Sequence, residues 1–263
     1  MTFLSTSALP SPNVVRNTLS AKRKLRLRQS TQHLSIYHSP LFQEWGSSSI
    51  SSQLLVDGSF AKRHTIRDFA VDIIDLVSSA NIPTVWALDS KAACSTEDSV
   101  PNDVMKCLAS QILTSNNGLM DEKFASLSAR RFQSALTEKE WFSLLGAVME
   151  GLQQVYLVID LDLVDRLGNG DSSWLSKFPR LFDRLRERGV KTVVKVAFLR
   201  ATKSEGEDRE VPEKTWHIQI PRRETGRVKK TGAKRGRKRK GGLAEVLQPI
   251  IEGSTGSSRV MKM

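Results

Sequence analysis

Gly58 and Thr65 stand seven residues apart, as the first and last positions of a phosphate-cradling loop do, and an apolar strand-like run, Gln53-Leu54-Leu55-Val56-Asp57, leads into the glycine. Such a loop reads Gly, four residues, then Gly-Lys-Ser/Thr: its backbone amides surround phosphate oxygens and its lysine supplies a fixed positive charge. Here Arg63 stands where the second glycine belongs and His64 where the lysine belongs. A side chain as large as arginine disfavours the positive-φ backbone that glycine permits. An imidazole with an ordinary pKa near roughly 6.5 is mostly neutral at pH 7 and shorter than a lysine. Lys62 and Arg63 restore charge from another angle, but not the backbone cradle. Far downstream, Val155-Tyr156-Leu157-Val158-Ile159-Asp160 is an apolar strand ending on an acid, and Asp162 and Asp165 follow. An acid there would hold magnesium beside a nucleotide; equally, it caps the turn after a buried strand.

Elements that would position these residues alternate from about residue 50 to 220. Ile66, Phe69, Ala70, Ile73, Ile74 and Val77 recur at helical spacing, with Arg67, Asp68, Asp72 and Asp75 on the opposite, polar face. Residues 83–88 read as a buried strand, and Val104, Leu108, Ile112 and Leu113 as the next helix. Thr137 through Glu140 is a capping-box signature before the run 141–152. Residues 174–188 predict a helix closed by Gly189, residues 190–199 a further strand, and residues 216–220 another. Strands alternating with helices predict an α/β fold of βαβ units, a three-layer domain over residues 41–220 with strands at 53–58, 83–88, 155–160 and 190–199 parallel and central. Gly58 and Asp160 are expected at the carboxyl ends of neighbouring strands, where such sheets bind ligands.

Charge is partitioned sharply. The net +12 is the sum of two cationic ends and a slightly acidic middle. Six basic and no acidic residues lie between Arg16 and Arg28, and eleven basic residues with one Glu lie between Arg222 and Lys240. Residues 1–35 are expected to be a disordered basic arm and 221–263 a disordered basic tail. A mitochondrial presequence is the alternative for the first arm, opposed by the bunching of its cations without an apolar stripe. Cys94 and Cys107 cannot build a disulfide scaffold, and no Cys/His spacing suits zinc. No apolar run is long enough for a membrane helix and Met1–Leu9 lacks a signal-peptide core, so a soluble intracellular protein is expected.

With these strands placed, residues 41 to about 200 resemble the nucleotide-binding core of STAND-type P-loop NTPases, particularly the NACHT-like domains common in fungal proteins. Residues 41–45, 54–65, 85–113, 155–165 and 190–200 carry the likeness, including Leu108-Ala109-Ser110-Gln111-Ile112-Leu113 for a Leu-x-x-Gln-Leu-Leu pattern. The resemblance implies a nucleotide site of Gly58, Lys62, Arg63, His64, Thr65, Asp160 and Asp162, with Asp160 the magnesium position and Arg200 a sensor position. Because the loop lacks its glycine and lysine, the site is expected to be vestigial: no catalytic residue, no resident cofactor, and at most weak ATP with magnesium on Asp160.

The basic tail holds Lys229, Lys230, Lys234, Arg235, Arg237, Lys238, Arg239 and Lys240 without aromatic residues to stack bases. Lys234-Arg235-Gly236-Arg237-Lys238 resembles an AT-hook core, whose Arg-Gly-Arg enters the narrow minor groove of A·T tracts; Lys238 stands where the motif has proline. The same residues resemble a nuclear import signal. The expectation is therefore a nuclear, non-catalytic binding or scaffold protein, its tail contacting nucleic acid or an import receptor and its core a protein partner, with no membrane. The alternatives are an NTPase with an altered loop, a small nucleic-acid-binding factor, and a cytoplasmic location.

Overall fold

A computed structural model describes residues 9–27, 34–89, 101–115, 132, 134–135, 137–167, 174–202, 211–212 and 214–220. Five strands form one parallel sheet: β1 (Ser52–Ser59), β2 (Thr84–Ala87), β3 (Gln154–Asp160), β4 (Val193–Thr202) and β5 (Thr215–Ile220), in the order β2-β3-β4-β1-β5. Side chains alternate across each strand, and on β1 both sets are buried, so it reads as a nearly unbroken buried run. Leu55, Leu157, Val196 and Phe198 pack on one face beneath α5 (Pro101–Ser115), α6 (Glu138–Met149), α7 (Leu161–Leu167) and α8 (Trp174–Glu187). Leu54, Val56, Val158 and Leu199 pack on the other beneath α1 (Pro12–Leu27), α2 (Leu34–Tyr37), α3 (Pro40–Ser47) and α4 (Arg63–Ser79).

Local signals account for the boundaries. Thr137 caps α6: its hydroxyl accepts from the Glu140 amide at 3.3 Å, and the Glu140 carboxylate accepts from the Thr137 amide at 2.9 Å. α8 stops before Gly189, whose φ of +69° is a left-handed conformation that glycine adopts without strain. The parallel α/β sheet expected from the alternating pattern is present. One expected juxtaposition is corrected: β1 and β3 are not neighbours, because β4 lies between them and pairs with both. β4 is ten residues long and buried on both faces, which suits a central position better than an edge.

A second correction concerns the N-terminal arm. Residues 12–27, expected to be disordered, form α1, which packs on α4 through buried Val15 and Leu19. Three ion pairs run along the contact: Arg16 with Asp75, Arg23 with Asp72, and Arg26 with Asp68. The partners descend along α4 as they ascend along α1, so the helices are antiparallel. Asp68 and Asp72 are 1% and 5% exposed, and Tyr37 also donates to Asp72 at 2.7 Å. The arm folds because half of its cations meet the acids on α4's polar face. Residues 1–8 and 28–33 of the arm, the tail from residue 221 and Cys94 lie outside the described residues.

Candidate functional site

The carboxyl ends of the parallel strands gather the residues singled out by their chemistry. β1 delivers Asp57 and Gly58, β3 delivers Asp160, and β4 delivers Arg200, paired in register with Asp57. The turn after β1 is short. Phe60–Lys62 make a single 3-10 turn, and α4 begins at Arg63. The Arg63 guanidinium lies over the Phe60 ring, 4.1 Å from its centroid, and donates to the Phe60 carbonyl at 3.3 Å. This stacked arginine folds back onto the turn instead of leaving open amides around a phosphate.

Gly58 is tightly enclosed. A Cβ there would stand 3.3 Å from both Ile220 Cβ and Ile66 Cδ1. The missing side chain thus lets α4 and β5 close over the end of β1. Lys62 and Thr65 are half-buried and His64 is exposed. Local shielding of its ring, then the positive charges of Arg26, Arg63 and Arg67, push the His64 imidazolium below its ordinary pKa. His64 is therefore neutral at pH 7 and does not replace a lysine.

Asp160 is held by backbone donors and an arginine. Its Oδ2 accepts from the Asp89 amide at 3.3 Å, and its Oδ1 from the Asp162 amide at 3.0 Å. Arg67, from α4, donates to Asp89 at 2.8 Å and stands 3.7 Å from Asp160. Burial, followed by the charge of Asp162, pushes Asp160 up to about 7, although Arg67 pulls the other way. Asp162 is raised by burial too, and its Oδ1 accepts from the Ala201 amide at 3.3 Å, which ties α7 to β4. These bonds bind strand ends to turns. They do not fit a magnesium nucleotide: the acid expected to hold the metal is buried and faced by a guanidinium, and the loop that would hold phosphate is closed. Among the described residues no group of three His, Cys, Asp or Glu is placed to hold a metal ion.

Beside this cluster, on β1, β4 and β5, lies a second polar group that sequence spacing did not reveal. Arg200 donates to Asp57 Oδ2 at 2.6 Å, and His217 Nε2 stands 3.8 Å from the same oxygen. Burial alone would raise Asp57, but His217 and Arg200 outweigh it and hold the carboxyl below its usual range. Arg200 Nε and Nη1 have no partner among the described residues. Asp57, Asp89 and Arg67 were not among the expected site residues; their partners lie on strands remote in sequence. Cys107, half-buried on α5, has its thiol pushed up to about 11 by burial, which makes it a poor nucleophile.

Compared with known protein families and curated proteins, the chain matches no family model and no curated relative. Among the described residues, no helix is long and apolar enough to cross a membrane.

Of the expected nucleotide residues, Gly58, Lys62, Arg63, His64 and Thr65 lie together at the β1–α4 junction, and Asp160 and Asp162 lie across β4 from it. Arg67 lies between the two groups. The α4 N-terminus has no side-chain cap and no acid in its first turn. Arg26, Lys62, Arg63 and Arg67 gather at this end of the domain, where Arg26 is paired with Asp68 and Arg67 with Asp89.

Proposed function

We propose that the core is a non-catalytic P-loop-like domain serving as a binding or scaffold module, and that residues 222–240 contact nucleic acid or an import receptor in the nucleus. The observation that carries the first half is the closed β1–α4 junction, with Arg63 stacked on Phe60 and Arg67 facing Asp160. Strand order supports it as well, since β1 is flanked by β4 and β5, and the site lies at the carboxyl edge. The second half rests on the composition of the tail.

A specific observation favours one alternative, anion binding without turnover. The start of α4 has no side-chain cap, although the Arg63 amide bonds back to the Phe60 carbonyl, and it lies amid Arg26, Lys62, Arg63 and Arg67. A thermal-shift titration with ATP, ADP and GTP plus magnesium separates the readings when run beside Arg63→Gly/His64→Lys. The scaffold reading expects no shift and background hydrolysis in the wild type. A magnesium-independent shift shared by all three nucleotides would support the anion site. Turnover abolished by Asp160→Asn would show an NTPase instead.

For the tail, the expectation is weak duplex binding with steep salt dependence. If about four to six cations touch phosphate, log K against log salt falls with a slope of roughly −4 to −5. Changing Arg235 and Arg237 together removes any A·T preference, whereas changing Lys229 and Lys230 lowers affinity evenly. A cytosolic reporter fusion together with absent or salt-insensitive DNA binding would leave the segment a solvated charge run.

A further inference from the structure

The sheet ends in two edge strands, β2 and β5, and the fold treats them differently. On β2 the peptide group of Trp86 is closed by a side chain. Its amide donates to Gln111 Oε1 at 3.1 Å, and Gln111 Nε2 donates to its carbonyl at 2.9 Å. Gln111, carried on α5, thus stands where a further strand would begin to pair. On β5 the Thr215 amide donates to the Pro212 carbonyl at 2.9 Å and so points away from β1. Peptide groups alternate along a strand, so Thr215, His217 and Gln219 face outward while Trp216, Ile218 and Ile220 bond β1. β4 gives the same phase from the other side. The Val193 amide donates to the Gln153 carbonyl, toward β3, which turns Val194 and Val196 to β1 and leaves Gln53 and Leu55 for β5. Among the described residues nothing bonds the outward amides of His217 and Gln219, or the carbonyls of Thr215, His217 and Gln219. The strand reads Thr-Trp-His-Ile-Gln-Ile in unbroken register, with no Lys, Pro or bulge to blunt its edge.

We propose that the β5 edge is a docking surface for a second copy of this chain, the two β5 strands pairing antiparallel about a two-fold axis at His217 into one continuous sheet. Register, charge and closure single out that occupant. Pairing centred on His217 sets it opposite His217 of the second copy and Thr215 opposite Gln219, so every outward group meets an outward group. Four backbone bonds result. Each His217 amide donates to the other copy's His217 carbonyl, and each Gln219 amide to the other copy's Thr215 carbonyl, while the Thr215 amides keep their turns. The strand carries no Lys, Arg, Asp or Glu, so self-pairing sets no fixed like charges opposite one another. The joined sheet then ends in two β2 edges, each closed at Trp86 by Gln111, so assembly stops at two copies.

The test uses the full chain, freed of nucleic acid, in about 0.3 M salt to screen the net +12 of each copy. A six-residue edge makes a small interface, so dissociation in the micromolar range is expected. Light scattering after size exclusion should give twice 29.4 kDa at about 200 µM and fall toward 29.4 kDa on dilution. Gln219→Pro removes an outward N–H that β1 does not use, so β5 stays in the sheet while the dimer weakens by about tenfold or more. Unchanged far-UV circular dichroism is the control of folding. His217→Cys tests the register independently of that variant. The two-fold places the paired Cα atoms about 5.5 Å apart, within disulfide reach, whereas in Gln219→Cys they stand about 13 Å apart. Mild oxidation should join two copies through position 217 and not 219, with mass spectrometry distinguishing these links from any at Cys94 or Cys107. A wild type that is monomeric at about 200 µM overturns the proposal, whatever other strand its edge accepts. So does a dimer that folded Gln219→Pro leaves intact, or cross-linking at 219 as ready as at 217.

Discussion

Lys195 offers the sharpest test of how this core is assembled. It sits in the middle of β4, is 0% exposed, and donates from Nζ to the Trp45 carbonyl at 2.9 Å and to Ser52 Oγ at 3.0 Å. Neither acceptor is charged. Burial accordingly lowers its pKa from 10.5 to about 8. The folded state then binds fewer protons than the unfolded chain between these values, so stability must rise with pH across that window and be lowest below pH 8. The full difference corresponds to about 3 kcal/mol, of which about 2 kcal/mol appears between pH 7.5 and 9.5. Urea unfolding of the wild type and Lys195→Met across that range isolates this contribution, because every other titrating group is common to both chains. Methionine keeps the apolar stem and removes the charge. The expected result is a wild-type-minus-variant difference that climbs by about 2 kcal/mol toward pH 9.5. A flat difference would refute the claim that Lys195 is held as a buried, unpaired cation.

Three further substitutions probe the frame. Asp72→Ala removes the acceptor shared by Tyr37 and Arg23 and leaves a largely buried guanidinium, costing about 3–5 kcal/mol and, by limited trypsinolysis, speeding cleavage within α1. Gly58→Ala forces a Cβ to within 3.3 Å of Ile220 and Ile66, costing about 1–3 kcal/mol by urea midpoint. Thr137→Ala removes the α6 cap for about 1 kcal/mol; a loss near zero would show that packing alone fixes that helix start.

Much of the frame was legible because it rests on local signals. The apolar runs at β1, β3 and β4, the capping box at Thr137 and the stop at Gly189 each depend on residues close in sequence. What escaped depends on partners far apart. The polar face of α4 looks like a solvated surface until α1 covers it, and the cations of α1 look disordered until Asp68, Asp72 and Asp75 meet them. Strand order is likewise a property of pairing: nothing in the apolar run at β4 says that it separates β1 from β3. At the site, the damaged loop pattern was visible in Arg63 and His64, but the stacking of Arg63 on Phe60 and the reach of Arg67 to Asp89 required the fold. Gln53 could have drawn notice as a polar residue opening a buried strand, yet what its amide meets, the Leu175 carbonyl that Pro179 leaves without a helical donor, is remote in sequence.

The position of β1 between β4 and β5 sets the order of events during synthesis. Both of its partners are made late: the Asp57–Arg200 contact spans 143 residues, and β5 comes later still. At about 5–20 residues per second, β1 leaves the ribosome roughly 7–30 s before either neighbour can pair with it. For that interval a strand with an apolar centre, Leu54-Leu55-Val56, has two open edges, the condition that invites association with another chain. The segments available to cover it meanwhile are α3 and α4, which flank β1 in sequence and pack on its face. A cold-sensitive yield, or rescue of yield by slower translation, would thus trace to the centre of the sheet and not to its rim.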